Sequence, residues 1–309
     1  MLSEMSREHR LSLPRLALIV AGGICAGLVV ALAAIGTRNF AVGSMDAGQD
    51  AFAYWHATQS VAPYGADAGS WGAYLYSPAF LQILSPILSL PWPVFFAIWT
   101  GIMMAALLLL TGPVLLIVAL PVAFFEIWGG NIHIVLALAI VLGFRWPATW
   151  SFVLLTKVTP GVGLIWFAVR REWRSLAIAL GATAAIAGVS LVINPGLWQS
   201  WIELLLREAG GTASSGHIPI PLLYRLPFAV ILAVYAARTD RKWLVPVVCF
   251  LAMPVLWWGS VTVLIGCIAI ERERVERFVL GRFQSRIAWW RGKIASAADL
   301  SRRTGGLGA

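Results

Sequence analysis

Charge is scarce in this sequence. Asp, Glu, Lys and Arg supply 12% of its 309 residues, with 14 acidic side chains against 23 basic ones. Also missing is a glycine-rich loop followed by Lys and Ser or Thr, or any strand–helix alternation to hold one, which excludes a phosphate-loop or dinucleotide fold. Cysteine is reduced to Cys25, Cys249 and Cys267, an odd number lying inside apolar runs. These have neither metal-ligand spacing nor a loop setting for a disulfide framework, so they read as small packing residues. The polar segments contain no cluster of carboxylates or histidines suited to a cation, so no catalytic metal is expected.

What fills the chain instead is apolar. Sixty per cent hydrophobic residues, 16 Trp and a mean hydropathy of +0.82 exceed what one water-soluble core can hide. The solvent for most of this surface is therefore lipid, and the fold class is an all-α polytopic membrane protein. The net charge of +9 sits in short loops and at the C-terminus, where basic residues set orientation, so nucleic acid is not an expected partner. The first run, Leu11 to Ile35, is too long for the apolar core of a cleaved signal peptide and reads as a retained span.

Apolar stretches bounded by charge, Pro or Gly predict spans near 14–36, 76–90, 93–111, 113–127, 131–144, 148–169, 175–193, 221–237, 243–255 and 256–270. Several fall short of the roughly 17–25 residues of a simple spanning helix, so about 8–10 crossings are expected, some broken or re-entrant. Arg7, Arg10 and Arg15, the run Arg170-Arg171-Glu172-Trp173-Arg174, then Arg238, Arg241 and Lys242, and the tail from Arg272 are expected on the cytoplasmic side. Both termini are then cytoplasmic, and segments 37–75 and 194–220 form two external loops. Residues 1–270 are expected to form the transmembrane domain. Residues 271–309 form a basic appendage, an interfacial amphipathic helix to about Lys293 and a disordered end from Arg302.

A few polar residues stand out against this background. If 49–60 is a helix on the membrane surface, Asp50 and Tyr54 share a face, with His56 on an adjacent one. Tyr74-Leu75-Tyr76-Ser77-Pro78 closes the first loop and opens the next span. Gly129-Gly130-Asn131-Ile132-His133 interrupts an apolar stretch, where Asn131 fits a helix cap as well as a cavity lining and His133 fits packing as well as a site. Lys157 is predicted near the middle of the span 148–169, where an uncompensated cation costs at least about 2.5–3.5 kcal/mol. Neutralising an anionic group, or snorkelling to a surface, would relieve that cost, and Glu126 is a possible partner. In the second external loop, His217 and the following Arg225 are further donors suited to phosphate.

In combination these pieces resemble glycosyltransferase family 87, polyprenyl-phosphate-mannose-dependent proteins of the GT-C membrane fold. The residues that carry the resemblance run in the family's order: Asp50-x-x-x-Tyr54-Trp55-x-Ala57, Tyr76-x-Pro78, Gly130-Asn131-x-His133 and Lys157-x-x-Pro160. Where the family commonly shows Gly-Gln-x-Asn this chain has Gly130-Asn131-Ile132-His133, and its C-terminal half is short. The resemblance implies a GT-C-like bundle with a helical first external loop, sited in the plasma membrane. It also implies transfer of a hexose, mannose in many members, from a polyprenyl-phosphate donor to a lipid or glycan acceptor on the extracytoplasmic face. The lipid-linked sugar is then a substrate and no cofactor is expected.

In that scheme Asp50 is the general base and the transfer inverts the anomeric carbon. Tyr54, His56, Tyr76, Asn131 and His133 contact substrate, while Lys157, His217 and Arg225 face the lipid phosphate. Two other classes fit parts of the pattern. A transporter or flippase of lipid-linked sugars would also use a cation among broken helices, although the sequence shows no inverted repeat. An inactive scaffold in envelope-glycan assembly would suit the short C-terminal half.

Overall fold

The computed structural model describes residues 13–41, 43, 47–209 and 220–281. Asp46, His217 and the end of the basic tail lie outside the described residues. The chain divides into two units, Met1–Ile270 and Glu271–Ala309. Of the second, residues 272–281 are helical. Among the described residues all regular structure is helical, and three helices are long and apolar enough to cross a membrane: Leu16–Ala41, Trp92–Gly129 and Trp173–Ile193. This is an all-α membrane protein.

The first of these is the body of α1 (Leu13–Ala41), followed by the short α2 (Gln49–Ala57). Next comes α3 (Pro78–Leu88), started by the Ser77 hydroxyl, which accepts the Phe80 N–H, and by Pro78 in the first turn, where its missing N–H costs nothing. At 11 residues α3 is only about 16 Å long. Both its ends return to α2: Phe80 packs 6.0 Å from Tyr54, and the Trp55 indole donates to the Leu90 carbonyl at 2.8 Å. The expected span 76–90 thus holds a helix of 11 residues, ended before Pro91, whose two ends both lie against α2.

The helix α4 (Trp92–Gly129) is two limbs folded at Gly112, whose φ of 64° and ψ of 175° leave the helix and favour glycine. The Trp99 indole donates to the Gly130 carbonyl at 2.7 Å. On a straight helix these residues would be about 46 Å apart. The limbs 92–111 and 113–129 are thus antiparallel, matching the two spans expected there.

A second fold-back was not expected. After α5 (His133–Leu142), the segment 148–169 breaks into α6 (Trp150–Thr156), a 3-10 turn over Thr159–Leu164 and α7 (Ile165–Val169). Trp150 and Phe167 lie with ring centroids 6.3 Å apart, against about 25 Å along a straight helix. Lys157 is consequently at the C-terminal cap of α6, at the tip of a helical hairpin and not in mid-span. Pro160, which cannot continue a helix, is the physical reason.

The remaining helices are α8 (Trp173–Ile193), α9 (Pro195–Ala209), α10 (Leu222–Arg238), α11 (Val245–Leu251) and, after a 3-10 turn over Trp258–Leu264, α12 (Ile265–Ile270). Apolar contact with neighbours gains little over contact with lipid, so close approach matters more. Fully buried Ala229 and Ala233 line α10 against Val248 and Ala252.

The turns collect at two poles. At one, Arg170 pairs with Asp240 at 2.8 Å and Lys242 lies over Phe144 at 5.9 Å, which joins 143–146, 170–172 and 238–242. At the other pole meet 48–58, 76–78, 128–133, 155–158 and 257–260. Strict alternation of the expected spans would put 128–131 opposite α2. In the structure 128–131 lies against the start of α2, with the Gly48 N–H on the Trp128 carbonyl.

Candidate active site

The second pole holds several of the buried polar residues, Glu126, Asn131, His133 and Ser260 among them. Gly48, in a left-handed conformation, opens α2 and donates its N–H to the Trp128 carbonyl at 2.8 Å, which docks the start of α2 on the end of α4. Asp50 and Tyr54, one helical turn apart, then face inward together. Gly130, with φ of 74°, lies so close that a Cβ there would come 2.6 Å from the Ala51 Cβ. At Gly129 a Cβ would approach the Asp50 Oδ2 to 3.0 Å.

Tyr76 enters from the loop before α3. Its hydroxyl is 3.3 Å from the Tyr54 hydroxyl, and both phenols donate to the Asn131 Oδ1, at 3.4 Å from Tyr54 and 3.3 Å from Tyr76. The same oxygen accepts the Ile132 N–H at 2.7 Å. With its oxygen so occupied, Asn131 presents its amide N–H to the Asp50 carboxylate. Lys157 completes the group, its Nζ 5.8 Å from the Tyr76 ring centre and in electrostatic reach of Asp50 and Glu126. Residues from α2, the loop before α3, the turn after α4 and the tip of the α6–α7 hairpin thus surround one carboxylate.

That carboxylate is perturbed. Burial, then the nearby Glu126 carboxylate, push Asp50 up to about 6, while His133, the Asn131 amide and Lys157 pull it down. Burial also holds the Tyr54 phenol well above its usual value, so Tyr54 is a hydrogen-bond donor and not a phenolate. Asp50 and Lys157 each keep part of their residue surface exposed. An acid that is ionised above about pH 6 beside an ammonium group can accept a proton from a hydroxyl while the cation faces a departing anion.

Other expected residues are placed elsewhere. His56 is exposed on the opposite face of α2, stacked on Phe52 at 5.3 Å. His133 is fully buried, with Nδ1 3.0 Å from the Glu126 carboxylate and Nε2 3.4 Å from the Ser260 hydroxyl. Arg225 is buried and gives its donors to the carbonyls of Ile220, Leu251 and Pro254, at 2.8, 2.7 and 3.3 Å. It is not among the groups gathered around Asp50. Ser260 was not anticipated; a Gly-Ser pair after Trp257-Trp258 was its only signal. Among the described residues no three His, Cys, Asp or Glu side chains group as metal ligands.

An open apolar groove of about 410 Å³ runs between α3 and α8, lined by Ala79, Gln82, Ile83, Ala185, Ile186 and Val189. The Gln82 amide donates across it to the Ser190 carbonyl at 3.3 Å. From the other side α9 straps the first loop: Arg207 pairs with Asp67 at 3.3 Å, and Trp201 donates to the Leu75 carbonyl at 3.2 Å.

Comparison with curated proteins and with solved structures finds no match. A family model does match, over residues 74–289; it takes in Tyr76, Asn131, His133 and Lys157 and begins after Asp50 and Tyr54. Matched over more than half its length by that model, this membrane protein belongs to glycosyltransferase family 87.

Proposed function

We propose that this glycosyltransferase moves a hexose, most simply mannose, from a polyprenyl-phosphate donor to a hydroxyl of a lipid or glycan acceptor. In this reading the bundle is of the GT-C type, crosses the plasma membrane several times with both termini in the cytoplasm, and works at the extracytoplasmic face. No cofactor takes part. The observation that carries the proposal is the meeting of Asp50 and Lys157 around Tyr76 and Asn131, from elements more than 100 residues apart in sequence.

The acceptor hydroxyl gives its proton to Asp50 as its oxygen bonds to the anomeric carbon. The bond from that carbon to the phosphate oxygen breaks, and its electron pair leaves on the polyprenyl phosphate, whose charge Lys157 balances. Attack opposite the leaving group inverts the anomeric centre. Tyr76 and Asn131 border the reacting atoms, and the polyprenyl chain lies along the groove between α3 and α8.

Vesicles containing the purified protein and a radiolabelled polyprenyl-phosphate sugar test this. A covalent glycosylated product is expected, and Asp50→Asn lowers its rate by about 10²–10⁴-fold. Full activity of a correctly inserted Asp50→Asn protein would overturn the assignment. Movement of labelled donor across the bilayer without a new glycosidic bond would favour transport instead.

A further inference from the structure

Packed against the 129–132 turn is a second polar array that the transfer scheme does not use. Glu126 is 1% exposed, and His133 and Ser260 are each 0% exposed. They come from the second limb of α4, the start of α5 and the turn over Trp258–Leu264. The His133 backbone N–H donates to the Glu126 carboxyl group, and the ring Nδ1 lies 3.0 Å from the same group. With Glu126 ionised, Nδ1 carries the ring proton and Nε2 accepts from the Ser260 hydroxyl at 3.4 Å. Ser260 in turn accepts the Trp257 N–H at 3.1 Å. Hydrogen bonds thus link Trp257 to Glu126 through Ser260 and His133. The order carboxylate, imidazole, hydroxyl is that of a nucleophilic triad, but Ser260 is sealed from any substrate, so the array is not a second reaction centre.

What the array touches is the turn at the site. The Glu126 carbonyl accepts the N–H groups of Gly130 and Asn131, at 2.9 and 3.2 Å, while its side chain holds His133. Glu126 therefore grips the turn from both sides, and that turn carries Gly129 against Asp50 and Asn131 between the two phenols. On the far side, Gly259 leaves the space that the Glu126 carboxylate fills. A buried carboxylate stripped of its donors is strongly destabilising.

We infer that Glu126, His133 and Ser260 form a positioning relay that sets the 129–132 turn, and with it Asn131 against Asp50, without touching sugar or acceptor. His133 thereby acts on the reaction through that turn. A displacement of about 1 Å at reacting groups costs up to about 100-fold in rate, which is the scale of effect the relay guards against.

The test uses the full-length protein in lipid nanodiscs as wild type, His133→Ala, His133→Asn and Ser260→Ala. For activity it rests on the transferase reading; amide hydrogen exchange, measured without substrate, does not. His133→Ala is expected to lower kcat about 10–100-fold with KM for donor and acceptor little changed, and to speed exchange over 127–134 but not in α8. His133→Asn, which keeps a donor near the Nδ1 position, restores most of both, and Ser260→Ala has a smaller effect of the same kind. Unchanged exchange in His133→Ala, a raised KM with kcat intact, or an Asn variant no better than Ala would each overturn the inference. Should His133→Ala fail to insert, the comparison of wild type with His133→Asn and Ser260→Ala decides. If the wild type transfers nothing, the transferase reading fails and the exchange data alone judge the relay.

Discussion

Asp50 gathers opposing influences, and its ionisation fixes how the site responds to pH. A base is active when deprotonated, and burial with the Glu126 carboxylate puts Asp50 at about 6. Transfer should therefore be half-maximal near pH 6, level off above about pH 7, and fall about tenfold per unit below. Lys157 lowers Asp50 toward its usual value, so Lys157→Gln should move the acid limb of the rate profile to higher pH. The same substitution should reduce kcat/KM by about 10–100-fold, the worth of a charge-assisted hydrogen bond to phosphate. An acid limb that stays in place in Lys157→Gln would separate the two side chains. The raised value also costs folding free energy wherever Asp50 is ionised in the fold, fully above about pH 6 and not at all below its ordinary value near 3.8. Asp50→Asn should then melt higher than wild type at pH 8, with the difference vanishing towards pH 4. A loss of activity joined to a gain in stability marks a functional group held at the fold's expense.

At the scale of elements, the site depends on two breaks in helices, and these were unequally legible. Tyr76-Ser77-Pro78 announces a helix start in its own residues, because Ser caps and Pro suits the first turn. The Gly129-Gly130-Asn131 interruption was visible for the same reason, although what it faced was not. Lys157-Val158-Thr159-Pro160 gave only half its meaning: Pro160 showed that the helix must break, but nothing local said that the chain reverses there. Reversal is fixed by Trp150 packing on Phe167 and Gly163, contacts across the hairpin that periodicity does not encode. Glu126 and Ser260 were obscure because their partners lie on other elements. Gly130 tests the closest of these approaches. Gly130→Ala places a methyl against Ala51 at a positive φ, which should cost about 1–3 kcal/mol, lower Tm and slow transfer together. Gly27→Ala, in α1 with open space around it, should leave both unchanged or slightly raise Tm.

For the whole molecule the decisive quantity is which turns share a side. Composition and hydropathy gave a helical membrane protein, and basic clusters put 170–174 and 238–242 together, as the Arg170–Asp240 pair shows. Hydropathy counts apolar runs without their direction: 76–90 reads as one run and holds a short helix with both ends against α2, and 148–169 reads as one span and folds back on itself. With the expected spans taken in strict alternation, Trp146 lies on the side of Val61; in the structure, Phe144 packs on Trp166 and Lys242, at the pole of Arg171. A protein freed of Cys25, Cys249 and Cys267 and carrying single cysteines at Val61, Trp146, Val158 or Arg171 separates the two arrangements. A membrane-impermeant thiol reagent applied to oriented vesicles should label Val61→Cys and Val158→Cys from one side, and Trp146→Cys and Arg171→Cys from the other. Both Val61 and Val158 are well exposed, at 104% and 57%, and Trp146 is 52% exposed, so reactivity is not limited by burial. Labelling of Trp146→Cys from the Val61 side would return Asn131 to the face opposite Asp50 and dismantle the site, since no arrangement of α5 can place His133 beside Asp50 and Phe144 at that same pole.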